Sequence, residues 1–352
     1  MAITVKATSR CNDGVRGLSG GTLLVEQSKG DQMRNSDLCS CVLAAFLASI
    51  IPFASPHAAE VKSERLTIGA SERSYIVSIP ASHGPRPTVL VLHGSLANGP
   101  MAILGMGFEK LVDREGLVAV YPSAIAGQWN DGHATASSWD GEPPNDVMFL
   151  RTLVDHLVRA GVADPARVYV AGFSSGGMMA FRLMCETPDS FAAIAPIAAT
   201  IPADLLPGCK PQRATPALMI NGTADPFVPF GGRPFPVFGG RLPSNDKTTQ
   251  VLRSLNDCAA SAKVDRLPHL DANDGTHVVI TSWTNCTSAA PVILYRVEGG
   301  GHRIPSRGEG VPFADVLLGK LNHDFDSAEV IWSFFKDKKR SVPSHWTHAA
   351  AR

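Results

Sequence analysis

Neither sign of charge is in excess: 32 Lys and Arg residues balance 32 Asp and Glu residues. A field of one sign is what draws a protein to charged polymers. The balance therefore excludes nucleic acid as an expected partner and suits neutral or apolar ligands. No apolar run is long. The strongest, Val42 to Ile51, falls well short of the ~20 residues that cross a bilayer, so no membrane span is expected. No internal repeat and no long Ser/Pro/Thr linker breaks the chain. No CxxC pair or Cys/His cluster has zinc-site spacing, so no bound metal is expected.

What the N-terminus does contain reads as a targeting segment. Val42 to Ile51 is followed by Ala54, Ser55, Pro56, Ala58 and Ala59, a short apolar stretch and then small residues, as in a secretory signal. Met33 and Arg34 stand just before it. Residues 1–32 are accordingly expected to be upstream sequence without structural value, and 33–59 a signal peptide. One folded domain is expected over 60–338, with a flexible tail over 339–352.

Of the seven cysteines, Cys11, Cys39 and Cys41 fall in the part to be removed. Cys185, Cys209, Cys258 and Cys286 remain, and in an oxidising compartment they would form two disulfides. Four cysteines allow three connectivities. Cys185–Cys209 and Cys258–Cys286 are favoured because each pair closes the shorter loop. Export implies an extracellular or periplasmic protein, expected to be a monomer.

Beyond Glu60, strand and helix patterns alternate. Arg73–Ile79 alternates apolar and polar residues like a half-buried edge strand. Short apolar runs at 88–92, 117–121, 167–173, 192–197, 217–220 and 292–297 read as buried strands. Helical spacing of apolar residues marks 146–159, 175–185 and 326–335. Such alternation implies right-handed crossovers and a mostly parallel central sheet with helices on both faces, an α/β fold.

The sequence Gly172-Phe173-Ser174-Ser175-Gly176 has a strand before it and a helix after it, the setting in which G-x-S-x-G lifts a serine out of a sheet. Side chains at Gly172 and Gly176 would collide with the neighbouring strand and helix. A serine needs a base to take its proton. Asp225 and His302 follow in the order acid, then His, each in a Gly-containing turn beyond a strand end. Competitors are Asp246 and Asp257 for the acid, and His269, His277 and His323 for the base. None of these follows a strand with Gly punctuation. For an oxyanion, Ser175 N–H would be one donor and Ser95 N–H the other, with Leu96 as an alternative. His93 reads as a structural histidine of that loop.

These residues, with His93–Gly99, Tyr121-Pro122, Trp129-Asn130 and Gly299–His302, resemble the polyhydroxybutyrate depolymerase/feruloyl esterase family of secreted esterases. The resemblance runs from about residue 65 to about 335. It implies one α/β-hydrolase catalytic domain that cleaves carboxylic esters without a cofactor, with Ser174, Asp225 and His302 as triad. It also implies that Cys258 and Cys286 staple the segment between acid and His. Ile304 stands where many members carry Trp. Solid-polymer depolymerases of this kind usually carry a linker and a binding domain, which this sequence is expected to lack.

Trp129, Trp139, Phe227, Phe230, Phe235 and Phe238 lie on two long loops that could overhang Ser174. Trp129, Phe230 and Ile304 are the candidate substrate contacts. The expected substrate is a hydroxybutyrate polymer or oligomer ester. Feruloyl or acetyl esters of plant polysaccharide are the alternative. A peptidase of the same fold, and a non-catalytic binding protein on a hydrolase scaffold, are the others.

Overall fold

The structure is a computed structural model that describes residues 14–17, 23–26, 59–133, 142–234, 241–308, 310 and 313–342. The chain divides into two compact units, 1–56 and 57–352. In the first, β1 (Gly14–Gly17) pairs antiparallel with β2 (Leu23–Glu26). Both strands lie within the segment expected to have no structural value. The expected signal peptide, up to residue 58, lies outside the described residues.

The second unit begins with β3 (Glu60–Ile68), β4 (Ser71–Ile79), β5 (Arg86–Leu92), α1 (Gly99–Gly105), α2 (Glu109–Glu115) and β6 (Val118–Pro122). Next come α3 (Asp146–Arg159), β7 (Ala163–Phe173), α4 (Ser175–Glu186), β8 (Ala193–Ile197) and β9 (Ala217–Gly222). A small ribbon, β10 (Arg233–Pro234) with β11 (Arg241–Leu242), precedes α5 (Asn245–Leu255), β12 (Lys263–Arg266), β13 (His277–Trp283) and β14 (Val292–Glu298). The short α6 (Ala314–Leu318) and α7 (Ser327–Phe335) follow.

One ten-stranded sheet runs in the order β12-β13-β14-β9-β8-β7-β5-β6-β4-β3. From β14 to β6 all neighbours are parallel, and two antiparallel strands close each end. This is the α/β-hydrolase fold. Successive side chains on the central strands leave by opposite faces. Leu90, Leu92, Val168 and Val170 join one buried cluster with residues of α3, α4 and α5. Val89, Val91, Tyr169 and Ala171 join the other, with residues of α1, α2 and α7. Burying each such side chain contributes ~1.5–3 kcal/mol.

Two expectations need correcting. The segment 73–79 is not an edge: β4 sits between β6 and β3. β3 escapes the eye because it is largely exposed and polar, with no alternation to betray it. Nor does the start of the expected tail hang free. The Arg340 N–H donates to Ala166 O at 3.0 Å, the Tyr169 hydroxyl donates to Lys338 O, and Arg340 is buried.

Both favoured disulfides are present, Cys185–Cys209 and Cys258–Cys286. The first ties the C-terminal end of α4 to the loop after β8, and the second joins the residues after α5 to those after β13. Among the described residues, no helix is long and apolar enough to cross a membrane.

Candidate active site

Ser174 occupies the turn between β7 and α4 with φ 55° and ψ −120°. A non-glycine residue there carries strain of ~1–3 kcal/mol and persists only when its surroundings fix it. Here Ser174 N–H donates to Ile197 O at 2.9 Å, and Ser174 O accepts from Met178 N–H at 3.0 Å. The flanking glycines make the turn possible. A Cβ on Gly172 would lie 2.2 Å from Gly176 O, and one on Gly176 would lie 2.4 Å from Leu92 O.

Asp225 follows β9. Its Oδ1 accepts from Phe227 N–H at 2.8 Å and Val228 N–H at 2.7 Å, so the turn aims the carboxylate. Just upstream, the Asn221 side chain clamps Ala199 through both its carbonyl and its amide, fixing the β8 and β9 ends together. His302 follows β14. Its N–H donates to Leu318 O at 2.6 Å, and the preceding Gly301 N–H donates to Lys320 O at 2.9 Å. The segment 318–320 thus presses against Gly301, where a Cβ would meet Leu318 O at 2.1 Å.

The three side chains meet. His302 Nε2 lies 3.0 Å from Ser174 Oγ, and His302 Nδ1 lies 2.7 Å from Asp225 Oδ2. Asp225 and His302 are buried. The His302 ring sits between Phe173 and Phe227, with centroids at 4.8 and 5.3 Å. Such a row can pass a proton from the serine to the imidazole while the acid fixes the ring.

The cleft over Ser174 has a volume of about 290 Å³. Its walls include Leu96, Phe173, Met178, Phe227 and Leu318, with Ser95, Ser175 and His133 among the polar ones. Leu96 N–H is taken by Gly127 O at 2.9 Å, which removes the alternative oxyanion donor. Ser175 is buried at the first turn of α4, where helix N–H groups lack partners within the helix.

His93 pins the loop that follows β5. Its Nδ1 is 2.7 Å from Gly94 O and its Nε2 accepts from Ala124 N–H at 3.0 Å. Those partners make Nδ1 the protonated nitrogen and the ring neutral. Burial pushes its pKa below the ordinary histidine value, against the raising effect of Gly94 O.

Trp129 lies behind this loop and not on the cleft wall. It is fully buried, its indole N–H donates to His93 O at 2.9 Å, and its ring packs on His93. Phe230 and Ile304 are half-buried against the two cores and do not line the cleft among the described residues. Phe227 does line it. Trp139, Phe235 and Phe238 lie outside the described residues.

The competing acids and bases lie elsewhere. His269 pairs with Asp324, His323 Nδ1 faces Ser306 O, and His277 sits in β13. Asp246 lies in the first turn of α5, and Asp257 accepts from the Thr287 hydroxyl. Sequence reasoning passed over His133, which lines the cleft and is held by Asp131 through a close contact between Nδ1 and Oδ1. Nothing in its spacing marks it, because its loop has no period. Among the described residues no cluster of His, Cys, Asp and Glu is arranged to hold a metal.

Residues 140–233 match the Phospholipase/Carboxylesterase family. Over 264 residues the chain is 30% identical to a protein of Nocardia uniformis subsp. tsuyamanensis named "Putative esterase NocK", covering 72% of this chain and 75% of that one. It is 26% identical to feruloyl esterase B of Piromyces equi, over 65% of this chain but 42% of the relative. It is 34% identical to the poly(3-hydroxybutyrate) depolymerase of Ralstonia pickettii, over 32% of this chain and 25% of the relative. The chain thus spans less than half the length of these last two. An acetyl xylan esterase from Aspergillus awamori shares the fold, with TM-score 0.51 at 16% identity, over 70% of this chain and 95% of that one.

Proposed function

Because the chain belongs to the α/β-hydrolase esterases, related to feruloyl esterases and poly(3-hydroxybutyrate) depolymerases, we propose that it is a secreted serine carboxylic ester hydrolase acting on hydroxyalkanoate oligomer or polymer esters. The observation that carries this reading is the continuous row Ser174 Oγ, His302 Nε2, His302 Nδ1 and Asp225 Oδ2 at the foot of an apolar cleft.

In this reading Ser174 Oγ attacks the ester carbonyl carbon while His302 Nε2 takes its proton. Asp225 holds the ring and stabilises the imidazolium. The N–H groups of Ser175 and Ser95 receive the negative charge on the former carbonyl oxygen, which α4 also favours through its N-terminal dipole. His302 then gives its proton to the departing alkoxide, and the C–O bond breaks. Water, activated by the same imidazole, releases the acid and restores Ser174.

The cleft walls support an acyl group that is apolar. Leu96, Phe173, Met178, Phe227 and Leu318 offer it little but hydrocarbon. Two disulfides support an oxidising compartment. The test is a panel of hydroxybutyrate oligomers, methyl ferulate, acetylated xylan, short p-nitrophenyl esters and a peptide. Turnover of the oligomers at the highest kcat/KM is expected. Preference for ferulate or acetylxylan would move the substrate to plant polysaccharide, and cleavage of the peptide alone would overturn the ester reading.

A further inference from the structure

The His302 ring is flanked by two phenyl rings and met at one end by a carboxylate. Phe173, immediately before the nucleophile, has its centroid 4.8 Å from that of the imidazole and its plane tilted by 45°. Phe227, two residues after Asp225, lies at 5.3 Å and 55°. His302 is buried, and Phe173 packs against one of the two cores. Phe227 lines the cleft, 40% exposed, and its backbone N–H donates to Asp225 Oδ1. The turns that deliver the nucleophile and the acid thus each deliver a phenyl ring to the base.

We infer that Phe173 and Phe227 are further catalytic groups, which stabilise the His302 imidazolium by cation–π attraction. The inference rests on the ester hydrolase reading above. In that reaction Ser174 Oγ bonds to the carbonyl carbon, the C=O electron pair moves to oxygen, and the serine proton passes to His302 Nε2. The imidazole goes from neutral to singly positive in a buried setting. Aliphatic walls would oppose this, because they strip water from the cation and return nothing. A phenyl ring carries negative charge on its face and attracts a cation within ~6 Å of its centroid. Asp225 answers the same charge at Nδ1, in the plane of the imidazole, and the two rings answer it on the flanks. The attraction is weak for the neutral base and full for the cation, so it favours the transition state over the bound ester. The same cation forms when water attacks the acyl-enzyme, so both half-reactions gain.

The test grades the charge on a ring and leaves its shape. Phe227 is replaced in turn by mono-, tri- and pentafluorophenylalanine, since fluorine draws charge off the ring face while the ring still fills its place. With p-nitrophenyl acetate as the soluble substrate, kcat should fall stepwise with added fluorine, to about three- to tenfold below the parent for the pentafluoro ring. KM should stay level, because the apolar surface offered to the ester is kept. Phe227→Leu should lose kcat by a similar factor, the same fluorine series at Phe173 should fall in the same order, and urea midpoints should hold along each series. A flat kcat series would overturn the inference, since packing alone would then account for the rings. A rising series would show a ring edge facing the cation and would overturn it equally. The fluorinated rings stay close to the parent's in size, so the answer does not depend on whether Phe227→Leu folds. A parent that cleaves no soluble ester would instead strike the catalytic reading, whereas a flat series in an active parent strikes the two rings alone.

Discussion

Asp225 meets His302 with one oxygen only: Oδ2 lies 2.7 Å from Nδ1, while Oδ1 is held by the amides of Phe227 and Val228. The two backbone donors need an acceptor at Oδ1. In an Asp225→Asn variant the side-chain carbonyl would stay there and the amide would face His302. That arrangement places the imidazole proton on Nε2, where it opposes the Ser174 hydroxyl. The expected result is a folded protein whose kcat falls by about 10⁴ near neutral pH, with KM little changed. Steady-state kinetics on a soluble ester check it, and a wild-type rate would remove Asp225 from the triad.

His93 gives the fold a pH dependence of known sign. Its folded pKa is depressed by burial, so the unfolded chain takes up the proton first as pH falls. The stability tied to the neutral ring is whole above about pH 6.5 and drains away as pH drops through that value toward the lower, folded one. Protonation at Nε2 would also set two donors, that ring and Ala124 N–H, against each other. Urea unfolding at about pH 7.5 and about pH 5.5 should show a smaller loss for His93→Gln than for the wild type. Equal losses would mean that His93 does not titrate in this range.

The loop beneath the cleft is anchored by a buried ion pair. Arg73 Nη2 lies 2.6 Å from Asp146 Oδ1, the Asn130 N–H donates to Asp146 Oδ2 at 2.7 Å, and Arg73 packs over Phe149. Asp146→Ala leaves a buried guanidinium without its counter-charge and frees Asn130. A destabilisation of about 3–5 kcal/mol is expected from denaturant melts, with Arg73→Leu/Asp146→Leu recovering part of it. A cost within experimental error for the single change would show that the pair does not hold the loop.

Each disulfide closes a loop of moderate length, with separations of 24 and 28 residues. Cys185→Ser/Cys209→Ser and Cys258→Ser/Cys286→Ser should each cost about 2–4 kcal/mol, read as a shift of the urea midpoint. A larger shift, from the loss of both bridges, should appear on adding reductant to the wild type and be absent in the variant lacking both. An unmoved midpoint would mean that the cysteines are not paired in the isolated protein.

The candidate site was legible because its geometry is local. Ser174 needs close-packed glycines beside it, and those glycines are visible as letters. The turn around His302 is likewise marked by Gly301, against which Leu318 packs. Helix α3 could be placed because Val147, Leu150, Val154 and Leu157 repeat at helical spacing. β3 could not, since a polar outer strand has no buried face to impose alternation. The aromatic loop residues misled for a related reason. Composition places Trp129 on a loop but does not say that its N–H will turn inward to His93 O. His133 was invisible because its position depends on Asp131 and on the fold around them, not on a repeat. The exposure of Val316 and Leu317 on α6 needed the structure too, because exposure is a property of packing that neighbouring residues in sequence do not reveal.

The central claim, that Ser174 is an activated nucleophile, is tested most directly by covalent labelling with a fluorophosphonate, followed by mass spectrometry of the peptide that carries it. One adduct on Ser174 is expected, absent in Ser174→Ala and slowed by several orders of magnitude in His302→Ala. An unlabelled Ser174 in protein that still hydrolyses esters, or an adduct on another serine, would contradict it.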